Sequence, residues 1–156
     1  MKTLILYATK YGAAREIAEK IAKNIDGAEI YDLKQNNIPS FDNFDCVIIG
    51  SSLYAGSIRK EAKIFLSQNA GAFQGKNIGL FLSGMAESGE EKFFESNFPA
   101  EIVRSAKAAD ILGGVFDPEK AGFMERFIMK IITKQPGYIN KISDDKIARF
   151  AEIMKT

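Results

Sequence analysis

Five short apolar runs, each followed by a stretch of helical period, constrain this chain more than any other feature. The runs are Thr3 to Ala8, Ala28 to Asp32, Asp45 to Gly50, Asn77 to Ser83 and Ala109 to Phe116. In the third, Cys46-Val47-Ile48-Ile49 is apolar at successive positions, as a parallel strand covered on both faces must be. Between the runs, Ile17, Ile21 and Ile25 repeat at a spacing of four in a helix expected over 13–24. Ser57 is placed to cap a helix carrying Ile58, Ala62, Phe65 and Leu66. Ser88 and Glu91 read as a capping box before Phe93 and Phe94, and Ile147, Phe150, Ala151 and Met154 mark a last helix from Asp144. Strands alternating with helices define an α/β protein. With 156 residues, one domain over 1–156 is expected. Right-handed crossovers and five strands favour a doubly wound five-stranded parallel sheet of order 2-1-3-4-5, with helices on both faces.

Composition then removes whole classes of chemistry. The chain has no histidine and one cysteine, Cys46, so no Ser-His-Asp or Cys-His nucleophile can be built. Zinc sites of the usual types are excluded as well, and no metal is expected. With 21 basic and 20 acidic side chains the formal net charge is +1, which argues against a nucleic-acid partner. Leu4, Ile5 and Leu6 are too short an apolar stretch for a signal peptide, and no uncharged run approaches the ~18 residues of a membrane span. A cytoplasmic location is the expectation.

In a sheet of this kind ligands bind beyond the carboxyl ends of the strands, where strand order reverses. Three loops lie there. The first reads Thr9-Lys10-Tyr11-Gly12-Ala13-Ala14 and enters a helix with no Ser, Thr, Asp or Asn placed to cap it. Its opening amides are either solvated or left for a phosphate. The second, Ser51-Ser52-Leu53-Tyr54-Ala55-Gly56, combines small residues with one aromatic able to stack on a ring. The third, Ser83-Gly84-Met85-Ala86, is small around one soft side chain, with Glu87 following. Neither G-x-x-x-x-G-K-[ST] nor G-x-G-x-x-G occurs, which disfavours nucleoside triphosphates and dinucleotides. A G-x-S-x-G elbow is missing too. A phospho-acceptor domain would need carboxylates where Tyr7, Ala8 and Thr9 stand. A mononucleotide with one phosphate remains.

These residues resemble the flavodoxin family. Thr9 and Gly12 match its phosphate loop, while the family's last hydroxyl position is Ala14, leaving the amides of Lys10 to Ala14 to hold the phosphate. Val47 to Gly56 resembles the strand and loop that flank the isoalloxazine, with Tyr54 near the usual aromatic position, and Ser83 to Ala86 lies where the family's third flavin loop does. Within the family, Met1 to Leu6, Phe44-Asp45 and Phe123 to Ile132 resemble the branch containing menaquinone-dependent protoporphyrinogen oxidase. The resemblance implies a flavodoxin-like fold with FMN as cofactor, Lys10 near the phosphate, Tyr54 stacked on the ring, and Gly56 and Met85 at its edges. A flavin also answers the missing histidine, because the cofactor brings its own electron-carrying ring.

Three classes of function stay open: an oxidoreductase moving electrons between FMN and a quinone or small molecule, including protoporphyrinogen oxidation; an electron carrier serving a redox partner protein; and a flavin-free binding module. Soluble carriers are commonly acidic for steering, so balanced charge tilts toward the enzyme. The stretch Phe123 to Lys134 puts Phe123, Phe127, Ile128, Ile131 and Ile132 on one helical face. That face is either buried in the core or meets a partner, a quinone or the inner face of the membrane.

Overall fold

The computed structural model describes residues 1–86, 88–133 and 137–156. Its elements are β1 (Thr3–Ala8), α1 (Ala13–Lys23), β2 (Glu29–Asp32), β3 (Cys46–Tyr54), β4 (Ser57–Ile58), α2 (Lys60–Gln68), β5 (Asn77–Ser83), α3 (Glu90–Asn97), α4 (Ala100–Ser105), β6 (Ala106–Ile111), β7 (Val115–Phe116), α5 (Phe123–Thr133), β8 (Ile139–Asn140) and α6 (Asp144–Lys155). The main sheet runs β2-β1-β3-β5-β6, with every neighbouring pair parallel. Counting those five strands along the chain, this is the expected 2-1-3-4-5 order. A sixth, two-residue strand, β4, pairs antiparallel with β3.

The period of two along a strand assigns alternate residues to opposite faces. Leu4, Leu6, Val47, Ile49, Leu80 and Leu82 belong to one buried cluster with Ala62, Phe65 and Leu66 of α2, Phe94 of α3 and Ile102 of α4. Ile5, Tyr7, Cys46, Ile48 and Phe81 belong to the other, with Ala14, Ile17, Ala18 and Ile21 of α1 and Ile147, Phe150, Ala151 and Met154 of α6. Both faces are therefore covered, and all six residues of β1 are buried. Gly50 is needed where the two central strands meet, because a Cβ there would lie 1.9 Å from Cζ of the buried Phe81 ring.

Three local expectations are corrected. Ser57 does not cap a helix: Ala55 (φ 49°) and Gly56 (φ 76°) are both left-handed, which makes a two-residue hairpin and turns Ser57 and Ile58 back along Tyr54 and Leu53. The following helix begins at Lys60, with Arg59 at its N-cap. The capping box at Ser88 is not formed either, since left-handed Gly89 occupies the N-cap and the helix starts at Glu90. Finally, the run Ala109 to Phe116 is two strands. β6 starts earlier, at Ala106, and ends at Ile111, and left-handed Gly113 (φ 95°) redirects the chain into β7, which pairs antiparallel with β8. A Cβ on Gly113 would lie 2.0 Å from the Lys141 carbonyl oxygen, and one on Gly114 2.8 Å from the Gly84 carbonyl carbon, so this crossing requires two glycines. The last helix forms as expected, with Ser143 Oγ accepting from the Lys146 amide at 3.3 Å.

Candidate functional site

The carboxyl ends of β1, β3 and β5 open into one cleft of about 320 Å³. Lys10, Tyr11 and Ala13 line it from the first loop, Ser52, Leu53, Tyr54 and Ala55 from the second, and Ser83, Gly84 and Met85 from the third. These loops converge because their strands are adjacent and parallel, so the chain leaves each on the same edge.

Six other expected site residues do not line the cleft. Thr9 Oγ1 braces the first loop, accepting from the Gly12 amide at 2.8 Å and from Ser52 Oγ at 3.4 Å. Gly12 is left-handed (φ 102°) and supplies the N-cap of α1 without a side chain. Ala14 is fully buried against the core, so its methyl faces away from any ligand and only its amide is on offer. Buried Ser51 donates its hydroxyl to the Ser52 carbonyl and accepts the Arg59 amide at 2.9 Å. The Gly56 carbonyl accepts from Asn97 Nδ2. Ala86 packs against the core and lines a neighbouring hollow instead. Glu87 lies outside the described residues.

The first loop leaves donors unused. The Lys10 amide donates to Ser52 Oγ at 3.1 Å and the Glu16 amide to the Gly12 carbonyl at 3.0 Å. Among the described residues, the amides of Tyr11, Ala13, Ala14 and Arg15 have no acceptor. Four unpaired N–H groups at the start of an eleven-residue helix, with the positive end of its dipole behind them, attract an anion.

A fourth wall was not foreseen in the sequence. Gly114, Val115, Phe116, Asp117 and Ala121 close one side of the cleft, and Glu125 reaches in from α5. Glu125 Oε1 accepts from Lys10 Nζ at 2.6 Å, and Tyr11 Oη donates to both carboxylate oxygens at 3.0 Å. Lys10 Nζ also stands 3.3 Å from the centroid of the Tyr54 ring, well inside cation–π range. Burial works against both charges, yet the contacts outweigh it. Glu125 is held below the usual carboxylate range by Lys10, Tyr11 and Tyr54, and Lys10 is raised above an ordinary lysine by Glu125 and Tyr11.

With Glu125 turned inward, α5 presents Phe123 (75% exposed), Met124 (64%) and Phe127 (55%) to solvent. The core-facing reading of this helix fails at those three positions. The side chains of Ile128, Met129, Ile131 and Ile132, and Lys134 as a whole, lie outside what is described. Helical spacing alone places Glu125 opposite Phe123 and Phe127. What the sequence could not convey is which side faces in. Among the described residues, no helix is long and apolar enough to cross a membrane.

A parallel sheet of order 2-1-3-4-5, with three small-residue loops and an unsatisfied helix start at its switch point, defines a mononucleotide-binding α/β protein. Residues 4–141 match the family profile described as flavodoxin domain. A Helicobacter pylori flavodoxin is 30% identical over 97% of this chain and 94% of its own length. The Escherichia coli K12 protoporphyrinogen IX dehydrogenase (quinone) is 25% identical over 88% and 81%. A Fusobacterium nucleatum flavodoxin solved with bound flavin mononucleotide superposes with a TM-score of 0.59 at 15% identity, covering 99% of this chain and 96% of its own. The chain belongs to the flavodoxin family, and FMN is the cofactor that membership carries.

Proposed function

We propose that this chain, acting as one domain over 1–156, holds FMN in the cleft at the strand ends and moves electrons between it and a redox partner. The observation that carries this reading is the convergence of three elements at one sheet edge: four unpaired amides at the start of α1, the half-exposed Tyr54 ring, and the small loop Ser83 to Met85. When bound, the flavin supplies the electron-accepting ring. The protein's part is placement. The amides of Tyr11, Ala13, Ala14 and Arg15 receive the phosphate, with the hydrogen of the Thr9 hydroxyl available beside them. Tyr54 offers its ring for stacking. Leu53, Met85, Val115 and Phe116 give the cleft an apolar lining that limits water around the ring. Ala14 adds no hydroxyl, and the reading does not require one, because its buried side chain points into the core.

The finer assignment is oxidoreductase action on a quinone or another small molecule, protoporphyrinogen included, at a cytoplasmic membrane surface. The outward apolar face of α5 favours it. Phe123, Met124 and Phe127 lie beside exposed Arg126 and Lys130, a combination suited to anionic lipid or a partner's apolar surface. The sequence relative from E. coli supports the same direction.

Purification followed by identification of the released chromophore tests the first reading: FMN in stoichiometric amount is expected, and a colourless protein that takes up no added FMN overturns it. Anaerobic turnover with protoporphyrinogen and menaquinone separates enzyme from carrier. Turnover supports the enzyme, whereas FMN reduction and reoxidation by protein partners alone supports the carrier.

A further inference from the structure

One face of the Tyr54 ring is covered by the Lys10 side chain, which Glu125 of α5 holds in place. Lys10 Nζ sits 3.3 Å from the centre of that ring and 5.1 Å from that of Tyr11. Glu125 grips the same ammonium at 2.6 Å, and Tyr11 Oη ties the carboxylate from its other side. Lys10, Tyr11 and Tyr54 belong to the wall built by β1 and β3, and Glu125 belongs to α5. Among the described residues, Glu125 makes the side-chain hydrogen bonds and ion pair that join α5 to that wall. An aromatic ring stacked on Tyr54 needs the space at roughly 3.5–4 Å between carbon atoms, and the ammonium already stands there.

We infer that the flavin ring and α5 compete for Lys10, so that seating FMN lifts the ammonium off Tyr54, breaks its contact with Glu125 and releases α5 from the mouth of the cleft. The inference rests on the FMN reading above. Lys10 and Glu125 are both largely shielded, with side-chain exposures of 23% and 16%, so their pair is screened less than one on the open surface. FMN affinity is then the intrinsic affinity of the open form reduced by the fraction of molecules in which the latch is closed. Phe123, Met124 and Phe127 on the outer side of this helix are already exposed while the latch is closed, so loading changes the freedom of the helix and not the exposure of its apolar side.

The test compares wild type, Glu125→Gln and Arg126→Gln. FMN is titrated by quenching of its fluorescence, and amide hydrogen exchange over Phe123–Thr133 is followed with and without FMN. In wild type, FMN is expected to speed exchange of this helix. Glu125→Gln is expected to exchange fast already without FMN and to bind it up to about fivefold more tightly, the factor that a partly exposed ion pair of this kind represents. Arg126→Gln removes a charge from the exposed side of the same helix and should match wild type in both measurements. Equal FMN affinity in wild type and Glu125→Gln, with exchange unchanged by FMN, overturns the competition while leaving the FMN reading intact. Weaker binding by Glu125→Gln overturns it as well, by making Glu125 a direct ligand. Failure of both proteins to bind FMN overturns the FMN reading itself, and this inference with it.

Discussion

The two walls of the cleft are made differently. On one side, Ser52 and Ser83 are buried at the ends of strands whose residues are almost wholly excluded from solvent, and the first loop is braced by Thr9 and Ser52 hydroxyls. On the other, a chain redirected by Gly113 and Gly114 leads to a helix whose visible tie is one carboxylate and whose apolar residues 123, 124 and 127 face outward. A wall continuous with the core inherits the cooperativity of global unfolding, and a helix whose side-chain ties, among the described residues, run through one carboxylate opens locally at lower cost. A rigid half that positions a ligand and an adjustable half that admits it follow from that difference.

The comparison can be broken most decisively in the core. Leu80→Ala, at a fully buried position of β5, should cost about 2–5 kcal/mol in urea unfolding; a loss well under 1 kcal/mol would show that the strand-built wall is not continuous with a tightly packed interior. Tyr54→Ala tests the same wall at the ligand. Removing a stacking partner is expected to weaken FMN binding about two- to tenfold and to move the flavin reduction potential. Unchanged affinity and potential would eliminate Tyr54 as the stacking side chain.

The adjustable wall should respond to pH. Glu125 has a lowered carboxyl pKa in the folded protein, so its contribution is present above the unfolded value near ~4.3 and is lost as pH falls through the folded one. Lys10 is raised, so its contribution is present below about 10.4 and is lost only as pH rises through its folded value. Between those limits protease protection of α5 should be flat, and as pH falls through the folded Glu125 value it should drop while the core remains folded. The smallest effect belongs to the outer face. Phe127→Asp, at a position 55% exposed, should change stability by less than about 0.5 kcal/mol, yet reduce co-sedimentation with anionic liposomes. Equal sedimentation of variant and wild type would remove the membrane contact, and a large stability loss would mean that α5 packs inward after all.

Much of the rigid wall is legible in the residues. Thr3 to Ala8 and Asn77 to Ser83 begin and end where their apolar runs do, and the repeat of Ile17 and Ile21 with Ala18 beside it marks the buried side of α1. The three loops follow from strand order alone. Legibility fails where backbone conformation outranks hydrophobic pattern. Ala55 takes a left-handed φ that alanine rarely adopts, which turns Ser57 from a cap into a strand residue. Gly113 and Gly114 split an apolar run that reads as one strand, because only tertiary contact with Lys141 and Gly84 shows how close the backbones come. Glu125 is the largest omission. An amphipathic pattern identifies two sides of a helix, and the usual assignment turns the apolar one inward; here the carboxylate meets Lys10 and Tyr11 across more than a hundred residues.

By itself the sequence determined the α/β class, the strand order, the loops at the switch point and the exclusion of histidine-based chemistry, since each depends on local periodicity or on residue types being present at all. Tertiary structure alone decided that Ala14 turns into the core, that Lys10 stands on Tyr54 and that α5 faces its carboxylate inward. Those facts are pairings between distant segments, and a pairing depends on how packed elements place two side chains in space, which neither side chain's own neighbourhood encodes.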